Sequence, residues 1–117
     1  MSFPRTVSVT LTTDGSGAVT GETAAFTGTI HSIRYAKTDF ADGVDFVVTT
    51  KRAGDALWSE LNVNASKVVY PAAAGTKADG TGSTVHERPH VSAHDAVQIA
   101  VTNGGATKTG TFHVVYY

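Results

Sequence analysis

Residues 26–50, FTGTIHSIRYAKTDFADGVDFVVTT, hold the densest apolar and aromatic content of the chain. Ile30, Ile33, Tyr35 and Phe40 precede an Ala41-Asp42-Gly43 turn, and Phe46, Val47 and Val48 follow it. β-Branched and aromatic residues in two short runs, separated by Asp and Gly, read as two β-strands joined by a turn in a core hairpin. Ile30 and Ile33 have opposite parity, so a regular strand cannot bury both on one face. A bulge is expected here, or a strand buried on both faces.

Working outward, residues 5–13, RTVSVTLTT, alternate: Val7, Val9 and Leu11 share one face, and Thr6, Ser8, Thr10 and Thr12 the other. That period of two marks a half-buried antiparallel strand whose outer face is uncharged. Asp14-Gly15-Ser16-Gly17 breaks it, and residues 18–25 form a turn or a short strand. At the far end, Val97, Ile99 and Val101 share a face, Asn103-Gly104-Gly105 signals a hairpin, and Phe112, Val114 and Tyr116 return on a second strand. In between, Leu57, Ser59, Leu61 and Val63 alternate as a strand, although Leu57 and Leu61 would also share a helical face. Residues 67–70, KVVY, form a short strand stopped by Pro71. Residues 72–90 are rich in Ala, Gly and Thr without apolar periodicity, and are expected as a long loop or arm ordered by contact with a neighbour.

These 117 residues suffice for one domain, spanning 1–117, with a single core. Seven to eight short strands between Gly- and Asp-rich turns, with no crossover helices, predict an all-β protein. The expected form is an antiparallel sandwich, jelly-roll-like or barrel-like. Val7, Val9, Leu11, Val97, Ile99, Val101, Phe112 and Val114 are its expected core among the end strands. Charged residues make up 16% of the chain and the net charge is −1, which gives no basic footprint for nucleic acid. Repulsion between like molecules is weak at such a charge, which suits an ordinary neutral domain and a protein that lives packed against others equally. There is no Cys, hence no disulfide, thiolate metal site or thiol nucleophile. No apolar run reaches membrane-spanning length and the N-terminal residues lack an apolar signal core, so no membrane partner is expected.

Three constellations carry a chemical alternative. His86, His90 and His94 would align on a helix as metal ligands, but Pro89 interrupts the run and no apolar face supports a helix. Asp39, Asp42 and Asp45 could hold calcium, yet they lack the alternating ligands of a calcium loop, and Asp and Gly make turns without any ion. Ser, His and Asp are present without a nucleophile elbow, and the Gly-rich pieces lack the Lys and strand–helix setting of a phosphate loop. No catalytic residue, metal or cofactor is expected. Trp58 and the tyrosines could instead form a glycan platform, but core or edge packing is the expected place for a lone Trp. Tyr116 and Tyr117 point to opposite faces, so one of them must meet a neighbour or cover a sheet edge.

DGSGAVTG (14–21), IRYAKTDFADGVDF (33–46), LWSELNVNASKVVYP (57–71) and NGGATKTGTFHVV (103–115) together resemble a family of small proteins of tailed bacteriophages and prophages, encoded among head and head–tail structural genes. The resemblance covers nearly the whole chain from Val7 onward. Its motifs are turn glycines and strand aromatics, so it transfers no catalytic residue. It implies a virion component made in the host bacterial cytoplasm: a capsid decoration or cement protein or a vertex subunit, with a head–tail or tail accessory subunit as the alternative. Its partners would be its own copies and the major capsid or other virion proteins. The rival is a carbohydrate- or host-surface-binding sandwich. For contacts, the expected residues are Thr6, Ser8 and Thr10 on the first strand, Ala73, Thr76, Lys77, Thr81 and Val85 in the arm, and Tyr117.

Overall fold

The computed structural model describes residues 3–76 and 78–117, with side chains outside 73–77, 83–87 and 92–93. Eleven strands follow one another: β1 (Arg5–Thr12), β2 (Val19–Glu22), β3 (Phe26–Lys37), β4 (Val44–Thr50), β5 (Ala56–Val63), β6 (Lys67–Val69), β7 (Ala73–Thr76), β8 (Gly82–Glu87), β9 (His90–Asp95), β10 (Val97–Thr102) and β11 (Thr109–Tyr116). No helix occurs among the described residues. Residues 56–63, where a helix competed, are strand β5.

One sheet runs β1-β11-β3-β6, with β9 alongside the first part of β3; the other runs β2-β10-β4-β5. The two orders correspond rank by rank. β1 is joined to β2, β10 to β11, β3 to β4 and β5 to β6, each pair by one connection that crosses the core. Eight strands arranged this way make a jelly roll. The remaining three (β7, β8 and β9) come from one excursion between β6 and β10.

These four connections (13–18, 103–108, 38–43 and 64–66) stack at one end of the sandwich and are tied in that order. Gly104 donates its N–H to the Gly17 carbonyl at 2.9 Å, and Ala41 donates to the Gly104 carbonyl at 2.9 Å. Gly43 donates to Asn64 Oδ1 at 2.7 Å. Gly17 sits at φ 85° with its missing Cβ site 3.1 Å from the Gly105 nitrogen, so both the left-handed backbone and the close approach require glycine. Thr13, 3% exposed, bridges the stack: its hydroxyl donates to the Gly105 carbonyl at 2.5 Å and accepts from the Lys108 N–H at 2.8 Å.

Neither expected hairpin forms. Residues 26–50 deliver β3 to one sheet and β4 to the other, and β10 and β11 part in the same way. Period-two patterning and Gly/Asn turns locate strands and reversals. They do not separate a turn that closes a ladder from one that crosses the ~10 Å core, because both strands bury the same kind of face in either case. The connections 38–43 and 103–108 are long enough to cross. Within the sandwich, consecutive strands pair as a hairpin at β4–β5, through residues 51–55. The parity break in β3 is a bulge: Ile30 pairs with Tyr116 and Ser32 with Val115, leaving His31 as the extra residue.

Aromatic rings fill the space between the layers. Tyr35 on β3 lies 5.1 Å from Phe46 on β4 and 5.2 Å from Phe112 on β11 (centroid distances), and Trp58 on β5 meets Phe46 edge-on at 4.8 Å. Trp58 is only 8% exposed. Of the expected core residues, Leu11, Val97, Ile99, Val101, Phe112 and Val114 are buried, whereas Val7 and Val9 are half-buried and pack against the core from β1 at the sheet margin. At that margin Leu11 occupies the space above Gly21, its Cδ2 2.2 Å from where a Cβ would stand.

Residues 72–90, expected as a loop or arm, instead form a two-stranded hairpin, β7–β8, followed by the start of β9. Among the described residues the two strands pair with each other and with no other strand. Their composition shows no apolar periodicity because no core-facing stripe is demanded of a ribbon outside both sheets.

Candidate interaction surface

β1 is the outermost strand of the first sheet, bonded on one side to β11 in unbroken register from Arg5↔Tyr116 to Thr12↔Thr109. Thr6, Ser8 and Thr10 are exposed on its outer face. Cross-strand pairing then builds a ladder of hydroxyls: Ser8 Oγ to His113 Nδ1 at 2.7 Å, Thr10 to Thr111 at 3.0 Å and Thr12 to Thr109 at 3.3 Å. Such a face is polar but uncharged, so little desolvation opposes covering it. Among the described residues no strand pairs with its other edge.

The arm residues fall in three places. Ala73 and Thr76 lie on β7, and Val85 lies on β8. Thr81 is exposed in the turn between them, where its N–H and hydroxyl donate to Asp79 Oδ1 at 3.0 and 2.7 Å. Those bonds hold the Asp79 carboxyl below its usual range. Lys77 lies outside the described residues.

Tyr116 and Tyr117 divide as their adjacency requires. Tyr116 stacks on Phe26 at 4.1 Å, and Tyr117 is 45% exposed while its backbone pairs in both directions with Thr29. Around Tyr117 the fold gathers Tyr70, already weighed with the other tyrosines, and two residues that pattern reading missed, His31 and Arg88. The bulged His31 lies 6.3 Å from its ring and 5.8 Å from that of Tyr70, which is 60% exposed. Arg88 stands 5.6 Å over Tyr70 and donates to the His31 carbonyl at 2.5 Å. Tyr117 also lines a cleft of about 600 Å³, together with Phe3, Arg5, Phe26, Thr27, His94 and Tyr116. The residues around Tyr117 come from segments distant in sequence, and only the parity break of Ile30 and Ile33 and the weighed tyrosines hinted at them.

The weighed constellations are engaged structurally. Asp39 accepts from the Thr109 N–H and Asp42 pairs with Lys37. Asp45 accepts from the Asn62 N–H at 2.9 Å and from Asn103 Nδ2 at 2.7 Å. Each carboxylate fastens a crossing connection or strand end. His86 lies on β8 while His90 and His94 lie on β9, so no helical alignment exists. The His90 ring reaches Thr29 Oγ1 at 3.1 Å, and His94 adopts φ 55°.

The deepest-set carboxylate among the described residues is Asp95, 4% exposed. Burial pushes its pKa up, but N–H donors of Ala53 (3.1 Å), Arg52 (3.0 Å) and Ala96 (2.8 Å), with the Arg52 guanidinium, hold it below the usual carboxylate range. It anchors the β4–β5 turn to the start of β10. A scan against protein-family models and a search of curated proteins return no match.

Proposed function

We propose that the protein is a non-enzymatic structural subunit of a tailed-phage particle, made in the bacterial cytoplasm and incorporated on the capsid as a decoration or cement protein or at a vertex. It works through contacts with its own copies and with the major capsid or other virion proteins. The observation that carries this reading is the β7–β8 hairpin, an Ala-, Gly- and Thr-rich ribbon held by neither sheet. An isolated two-stranded hairpin is marginal in water, so one kept outside the sandwich is stabilised by what it touches. The hydroxyl ladder and low charge suit the same role, since many copies can offset weak single contacts through multivalency.

Jelly rolls serve viral capsids and lectins alike, so the fold alone does not choose between them. The glycan-platform reading loses its central residue, because Trp58 is buried. Mass spectrometry of purified virions tests the proposal, with the protein expected in many copies. Deleting residues 75–85 is expected to abolish capsid stabilisation while leaving the sandwich folded. Absence from virions, with glycan-array binding by the pure protein, overturns it.

A further inference from the structure

Natural sheets protect their edges by keeping them short, bulging them or charging them. Here β2 has 4 residues and β6 has 3. β5 slips register twice against β4, carries Asn62 at φ 57°, and presents Glu60 paired with Lys67 at 2.6 Å. β1 has none of these devices. Its 8 residues keep one register throughout, and Arg5 at its start is its sole charge. Its inward Val7 and Val9 are only half-buried, while Val97 and Val114 are 0% exposed.

We propose that β1 pairs antiparallel with β1 of a second copy of this chain, about a twofold axis at Val9, so that the two first sheets join into one. Residues opposed in antiparallel strands point to the same face. Centring on Val9 therefore sets Val7 against Leu11 on the inner side, and Thr6 against Thr12 and Ser8 against Thr10 on the outer side. Apolar meets apolar, hydroxyl meets hydroxyl, and the two Arg5 side chains lie at opposite ends. The strand is its own complement, which is what singles out a second copy rather than an unrelated segment. Pairing also completes the cover over Val7 and Val9. The inference rests on the self-association in the proposed role and names its surface.

The chain has no Cys, so single introduced thiols report the register. Full-length Val9→Cys under mild oxidation is expected to give a disulfide-linked dimer, and Ser8→Cys is not. In sedimentation velocity the wild-type chain is expected to dimerise. Ser8→Lys/Thr10→Lys, which clusters four ammonium groups across the axis, is expected to weaken that dimer about a hundredfold or more. Both positions are exposed, so the variant is expected to keep the folded circular dichroism spectrum of the wild type, although it loses two cross-strand side-chain bonds and the stabilisation that dimerisation supplies. A wild-type chain that stays monomeric at its solubility limit, a dimer indifferent to the lysines, or cross-linking at Ser8 instead of Val9 overturns the pairing. If the protein is then still found in virions, the virion role stands without it.

Discussion

Tyr35 sits at the centre of the aromatic cluster at 0% exposure, and its hydroxyl has no hydrogen-bond partner among the described residues. Burial first, then the nearby Asp39 and Asp42 carboxylates, push its pKa up to about 12. A raised folded pKa means the fold favours the protonated phenol. Its contribution is intact below the unfolded value near 10 and is lost as pH climbs toward 12. Tyr35→Phe removes a buried hydroxyl without a partner while keeping the ring. It is expected to be neutral or to stabilise by about 1 kcal/mol in urea unfolding, and to flatten the alkaline loss of stability. A destabilisation of several kcal/mol would mean that the hydroxyl is bonded after all. The sequence marked Tyr35 as core, but an unsatisfied hydroxyl was not legible in it, because that depends on what four other elements place around the ring.

Among the elements, the strands were largely legible and their partners were not. Alternation in residues 5–13 found β1, the parity of Ile30 and Ile33 offered the bulge in β3 as one of two alternatives, and the Val97–Ile99–Val101 face found β10. Which sheet each strand enters is decided by long-range pairing such as Thr12↔Thr109, for which a local pattern carries no signal. The contact surface was half legible for the same reason. The Thr/Ser face of β1 is visible as a stripe, whereas the His31–Tyr70–Arg88–Tyr117 cluster is assembled by tertiary structure. Two predictions belong at this scale. Gly21→Ala drives a methyl into Leu11 at the β1–β2 margin and is expected to cost about 1–3 kcal/mol by thermal unfolding. A loss near zero would mean that the margin is free to spread. Ile99→Ala, from a fully buried site on β10, is expected to cost about 2–5 kcal/mol, far more than deletion of residues 75–85 from the hairpin. Equal losses would place the hairpin inside the cooperative unit.

Across the whole molecule the resolved carboxylate shifts point one way. Asp14, held by the Ser16 hydroxyl and the amides of Ala18 and Ser16, Glu60, held by Lys67, and Asp79 and Asp95 are all lowered. Depressed folded values give stability that is present above the unfolded pKa near 4 and is lost as pH falls through the folded ones. The melting temperature is therefore expected to hold from neutral pH down to about pH 5 and to fall below about pH 4. Asp95→Asn is expected to melt lower at neutral pH and to show a shallower acid decline, as followed by circular dichroism. An unchanged acid slope would remove Asp95 from that account.

The pairing of Arg5 with Tyr116 has a consequence in time as well as in space. Among the described residues β1 finds its sheet neighbour in β11, far along the chain, so the first sheet cannot be completed piecemeal from local pairings. Contacts this distant in sequence place the protein among slow-folding topologies, in the range of about milliseconds to seconds. Until β11 arrives, β1 waits as an unpaired, nearly uncharged strand. The edge that would recruit a second copy is thus finished only once β11 has paired, and ordered assembly waits on that long-range contact.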